Sequence, residues 1–202
     1  EIGPQAVLLP KEESVEQVAE LSSRLDDHPA CVDTQIWAMM ETSRGILNAI
    51  AIAGAPRMSG FVMGTNDLAK ELNCRFRPDR LPMQSALQTC LMAARAAGIV
   101  CVDGVYNAFK DEDGLKAECE QGRDLGMDGK TLIHPAQVAV TNAAFAPSEA
   151  EIELARRQIA AFEAAEAEGQ GVAVVDGKIV ENLHIVTAKA TLAKAEAIEA
   201  LG

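Results

Sequence analysis

The sequence contains no CxxC pair. Its five cysteines (Cys31, Cys74, Cys90, Cys101 and Cys119) are an odd number without metal-ligand spacing, so neither a disulfide framework nor a zinc site is indicated. No GxGxxG turn follows an apolar run, which removes the main sequence argument for a dinucleotide-binding sheet. Basic residues are few: 18 Lys and Arg stand against 30 Asp and Glu, for a net charge of -12. They are scattered, which excludes a nucleic-acid surface, and an anionic ligand would need a metal or a local cation to overcome the global field. The uncharged stretch from Gly45 to Pro56 is too short to span a bilayer, and the N-terminal residues lack a signal-peptide pattern. The expectation is a cytoplasmic protein with no membrane partner. Across 202 residues, 49% hydrophobic content and a mean hydropathy of +0.04 allow a sizeable buried core.

Short apolar runs recur at Ala6–Leu9, Gln35–Met40, Gly60–Met63, Ile99–Val102 and Thr131–Ile133. Each is continuous rather than alternating, as in strands covered on both faces. Helical segments lie between them. Ser14 to Leu25 opens on a Ser-x-x-Gln capping box, Pro82 to Ala97 has proline in its first turn, and Asp113 to Leu125 stops at Gly126. Alternation of strand and helix implies a parallel α/β sheet with right-handed crossovers. Five such units are too few for a closed eight-stranded barrel, which takes about 250 residues, so the sheet is either open and doubly wound or the C-terminal part of a barrel. Beyond Phe145 the composition changes. A second capping box at Ser148 and Glu151 opens a long Ala/Glu helix to about Glu168, followed by a glycine-bounded hairpin segment and a final helix. The expected division is 1–146 and 147–202.

Several strand ends carry chemistry: Lys11, Glu41, Asp67 and His134. In parallel α/β folds these ends open on one face, where ligands bind. Glu41 and Asp67 follow consecutive strands, and two carboxylates held close favour a divalent cation, magnesium or manganese rather than zinc. The alternative is that both merely sit at helix starts, where negative charge is favourable. Gly64, Thr65 and Asn66 form a turn whose N–H groups could receive a carboxylate. His134 precedes Pro135 and is read as a backbone-bonding residue ahead of a general acid or base, because no nucleophile partner is recognisable. Arg75, Arg77 and Arg80 are solvated residues that could meet an anion.

Five stretches in order, "LLPKEES", "METSRGILNAIAIA", "GFVMGTNDLAKEL", "TLIHPAQVAVTNAAFAPSEAEIELARR" and "AVVDGKIVENLHIVTAKATLAKAEAI", resemble the citrate lyase β-subunit-like CoA-ester lyases of the HpcH/HpaI aldolase group. The resemblance implies a (β/α)8 TIM barrel of which this chain supplies about strands four to eight, plus the C-terminal extension. It implies Mg2+ held by Glu41 and Asp67, with Mn2+ as substitute, and the Gly64–Thr65–Asn66 turn as donor to the carboxylate of a 2-oxo acid. It implies CoA near Ile133 and Pro135 with Lys11 at the pocket wall, homotrimers or hexamers, and an acid on the C-terminal segment of a neighbouring subunit. That acid is an aspartate in the family's "DGKMID" pattern; here "DGKIVE" places Glu181 there. The family's catalytic arginine lies on an earlier strand and matches no residue of this sequence.

The expected activity is magnesium-dependent cleavage or condensation of a 3-hydroxyacyl-CoA such as malyl-CoA or citramalyl-CoA, giving acetyl-CoA or propionyl-CoA and a 2-oxo acid, glyoxylate or pyruvate. Three alternatives stand beside it: a class II aldolase acting on free 4-hydroxy-2-oxo acids, a malyl-CoA thioesterase, and a noncatalytic assembly subunit. The "DGKIVENLH" segment separates the first from the aldolase, which has no need of it.

Overall fold

The structure, a computed structural model, describes residues 2–201 and divides into two compact units, Glu1–Phe145 and Ala146–Gly202. The first is built on a five-stranded parallel sheet of β1 (Ala6–Leu9), β2 (Gln35–Met40), β3 (Met58–Met63), β4 (Val100–Asp103) and β5 (Gly129–Lys130), in that spatial order. Each strand pairs with the next in sequence. A doubly wound sheet would reverse its strand order at a switch point, so this winding is that of a β/α barrel.

The connecting helices are α1 (Val15–Asp26), α2 (Ser43–Leu47), α3 (Ala49–Ala53), α4 (Thr65–Glu71), α5 (Gln84–Ala97), α6 (Glu112–Leu125) and α7 (Val138–Phe145). They cover one face of the sheet. Ile36, Ala38, Met40, Phe61, Met63 and Cys101 point into that layer and form its core with Ile52, Leu87 and Leu115. Burial pushes the Cys101 thiol up to about 12, so this cysteine is a packed, unreactive group. Trp37 and Met39 alternate to the other face, where they are half-buried. A bulge between Ile36 and Trp37 skips Ser59 and sets Trp37 opposite Gly60. A Cβ on Gly60 would lie 2.7 Å from the indole, so glycine is what lets the ring lie flat on the sheet.

Two sequence expectations are corrected. Thr131–Ile133 is not the last strand; the ladder to β4 ends at Lys130, because the Ile133 N–H turns to Gln137 Oε1 (3.0 Å) and Ile133 is 53% exposed. Ser14 precedes α1 without a side-chain cap bond. The reciprocal half of the box is also unmade: the Ser14 N–H donates to Glu12 Oε1, and Gln17 Oε1 accepts the Glu13 N–H instead, both at 3.0 Å.

The second unit packs α8 (Glu149–Ala167) on the antiparallel hairpin β6 (Ala173–Val175) and β7 (Lys178–Val180) and on α9 (Asn182–Ala200), around Phe162, Ala173, Val180 and Ile185. The Ser148/Glu151 capping box forms as expected. The two-residue turn Asp176-Gly177 has φ of 50° and 74°, the left-handed pair that matches hairpin twist. Among the described residues, no helix is long and apolar enough to cross a membrane.

Candidate active site

At the C-terminal end of β2, Glu41 is 4% exposed, and opposite it at the end of β3 stands Gly64. A Cβ on Gly64 would fall 2.3 Å from Glu41 Cβ and 2.7 Å from Oε2. Glycine therefore makes the space in which this carboxylate lies. Lys11, just past β1, adopts a left-handed φ of 51°, a conformation costing about 1–3 kcal/mol in a non-glycine residue. That turn aims its backbone N–H at Glu41 Oε1 (2.9 Å), while its ammonium reaches Asp67 Oδ1 (3.2 Å).

Asp67, in the first turn of α4, is near enough to Glu41 for the two carboxylates to perturb one another, with Lys11 bonded to both. Burial raises the Glu41 pKa and the neighbouring Asp67 charge raises it further, against the Lys11 N–H. The hydrogen bond and charge of Lys11 lower that of Asp67. Two like charges in one recess, one of them desolvated, form an oxygen-only donor set suited to a hard divalent cation, which is commonly held by one or two carboxylates with water and substrate completing the shell. Among the described residues no group of three or more His, Cys, Asp or Glu suited to a metal occurs; Glu41 and Asp67 are a pair. The structure thus brings together Lys11, Glu41, Gly64 and Asp67.

The turn before Asp67 is organised differently from expectation. The Gly64 N–H donates to Met40 O (3.1 Å) as part of the sheet and is not available to a ligand. Thr65 and Asn66 occupy the first helical turn, where backbone N–H groups have no partner within the helix. The Asn66 amide is held by a reciprocal pair of bonds with Asn107 (2.8 and 3.1 Å).

His134 lies beyond β5. Its Nδ1 accepts the Ala136 N–H (3.1 Å) at the start of the turn Pro135–Gln137, the backbone role expected of it, and its ring stacks on Phe109 at 4.6 Å. Ile133 and Pro135 flank it on the same rim. In the second unit, Glu181 is the N-cap of α9, and its N–H donates to His184 Nδ1 (3.0 Å).

Arg80 is not solvated. It is 3% exposed, with Nη1 2.7 Å from both oxygens of Asp103 and Nε 2.5 Å from Gln121 Oε1. Lys130 completes the cluster, at 3.2 Å from Asp103 and 2.6 Å from Glu118. Asp103 ends β4 as Glu41 follows β2, yet it points to the helical side, beneath Gly122 of α6, where a Cβ would lie 2.8 Å from its carboxylate. The sequence signal for it was the strand-end position; parity along the strand is what assigns it to the helical layer. Arg77 pairs with Asp79.

A parallel sheet wound in barrel order, with two carboxylates at adjacent strand ends, is the architecture of a β/α barrel that carries its ligand site at the C-terminal ends of the strands. The chain belongs to the HpcH/HpaI aldolase/citrate lyase family, whose profile matches residues 1–135. It is 66% identical over 200 residues to a (3S)-malyl-CoA thioesterase of Cereibacter sphaeroides (strain ATCC 17023), covering 99% of this chain and 68% of that protein. It is 34% identical to the citrate lyase subunit beta of Escherichia coli (strain K12), covering 96% of this chain and 66% of that protein. Among solved structures, CitE from Mycobacterium tuberculosis in complex with magnesium, acetoacetate and coenzyme A superposes with a TM-score of 0.79 at 31% identity, over 95% of this chain and 68% of that one. The chain therefore spans about two thirds of the length of these relatives.

Proposed function

We propose that this chain belongs to a magnesium-dependent enzyme acting on 3-hydroxyacyl-CoA thioesters of the (3S)-malyl-CoA class, with hydrolysis of the thioester as its reaction. The carboxylate pair Glu41/Asp67, seated in the space left by Gly64, is the observation that carries the metal-dependent part. The similarity to (3S)-malyl-CoA thioesterases supports the choice of reaction. A bound magnesium supplies Lewis acidity toward substrate oxygens; manganese is the chemical substitute.

The chain's own residues then have separable tasks. Glu41 and Asp67 hold the cation, and Lys11 fixes both carboxylates through its N–H and its ammonium. Thr65 and Asn66 offer first-turn N–H groups to a substrate carboxylate. Ile133 and Pro135 border the CoA, with Lys11 at the pocket wall. Glu181 from a second copy, in a homotrimer or hexamer, moves the proton. In hydrolysis it takes a proton from water, whose oxygen bonds to the thioester carbon as the C–S bond breaks and the sulfur is protonated, giving malate and free CoA.

Carbon-carbon cleavage is the second reading, favoured by the likeness to citrate lyase β subunits. There the hydroxyl proton is removed, the C2–C3 bond breaks, and the enolate of acetyl-CoA is protonated beside glyoxylate. The full-length protein, incubated with magnesium and (3S)-malyl-CoA, is expected to release malate and free CoA, and Glu41→Gln and Asp67→Asn to lose this activity. Acetyl-CoA and glyoxylate would establish the lyase instead; turnover by both variants would overturn the metal site.

A further inference from the structure

We infer that Asn107, on the loop between β4 and α6, is a positioning residue for Asp67: through Asn66 it holds the first turn of α4 where Asp67 can serve the cation. This rests on the metal-site reading above. Asn66 directly precedes Asp67 in the chain. Its Nδ2 donates to Asn107 Oδ1 (3.1 Å), and Asn107 Nδ2 donates back to Asn66 Oδ1 (2.8 Å), across 41 residues of sequence. A carboxamide donates and accepts side by side, so two of them facing each other close both bonds.

The turn needs support from outside the helix. α4 has seven residues, about two turns, and its first N–H groups have no partner within it, so this is the end that frays. The ion pair from Lys11 to Asp67 is open to water, its side chains 63% and 47% exposed, and such a pair restrains a carboxylate weakly.

The loop can bear on the turn because it is itself anchored. Tyr106 O accepts Nε2 of the fully buried Gln137 (2.8 Å), and the Tyr106 hydroxyl donates to Asp111, the N-cap of α6. A second contact is independent of the amide pair. Gly104 passes so close to α4 that a Cβ on it would lie 2.5 Å from Thr65 Oγ1. The loop thus meets both residues that lead into Asp67.

Binding of Mn2+ to the full-length protein without substrate, followed by electron paramagnetic resonance of the free ion, tests this with Asn107→Ala, Asn66→Ala, the double variant and Asp67→Asn. Both asparagines are exposed, so the variants are expected to fold, which metal-free melting curves check. Asn107→Ala should weaken Mn2+ binding about threefold to tenfold. The double variant should bind no more weakly than the weaker single one, because both substitutions break the same pair. Wild-type affinity in Asn107→Ala, or losses that multiply in the double variant, would overturn the positioning role while Asp67→Asn still loses the ion. If wild type binds no Mn2+, or Asp67→Asn binds it unchanged, the metal-site reading fails and takes the inference with it.

Discussion

Tyr106 is the single tyrosine of the chain, and its environment is readable in solution. Its hydroxyl donates to Asp111 Oδ2 (2.6 Å), and Asp111 Oδ1 accepts the Gly114 N–H to cap α6. The hydrogen bond to Asp111, with some desolvation, pushes the phenol up to about 12, while the same bond and the cap lower the carboxyl. A phenol raised on folding contributes stability that is complete below its unfolded value of about 10 and is lost as pH rises through about 12. A carboxyl lowered on folding contributes above its unfolded value and loses that contribution as pH falls through the folded one. Phenolate absorbance near 295 nm should therefore titrate in one step about 2 units above a free tyrosine, and Asp111→Asn should return the midpoint toward about 10. At this scale the sequence disclosed the identity of Glu41 and Asp67 but not their support. The left-handed turn at Lys11 and the Cβ-sized gap at Gly64 are facts of packing between elements more than twenty residues apart, which no local pattern carries.

The elements show why some readings succeeded. Ser148 with Glu151 and Gly126 after Leu125 are local chemistries, and both formed. Ser14 with Gln17 has the same spelling as the former, yet Glu12, buried beside it, captured the Ser14 N–H first. The fifth strand was misplaced by two residues because apolar content marked Thr131–Ile133, whereas pairing to a single neighbour ended sooner. The charged layer between β4, β5 and α6 has its own consequence. Asp103 is the acceptor shared by Arg80 and Lys130, all three nearly or fully buried. Asp103→Ala leaves two buried cations facing each other with one fewer carboxylate, and urea denaturation should show a loss of about 3–5 kcal/mol. A loss below about 1 kcal/mol would mean that the cluster is solvated and that its burial has been misread.

For the whole molecule, the functional reading requires two copies, because Glu181 is assigned to a neighbour's site. Glu41→Gln and Glu181→Gln should each be inactive alone. Mixed by unfolding and refolding together, they should recover part of the wild-type rate, since some assembled sites then combine an intact Glu41 with an intact Glu181; activity assays across mixing ratios check this. Absence of recovery, with mixed oligomers demonstrated, would mean that Glu181 does not act in a neighbour's site, whereas activity of Glu181→Gln alone would assign the proton-transferring acid to another residue.

The bulge at Ser59 bears on how this chain tolerates changes of length. Side chains alternate with a period of two, so losing one codon from Phe61 to Met63 while Gly60 stays beneath Trp37 would shift Gly64 out from beneath Glu41. Ser59 is the residue the ladder already skips. Its loss would join Met58 directly to Gly60 and leave every later pairing in place, so within this strand Ser59 is the position where a codon can disappear without moving the carboxylate pair.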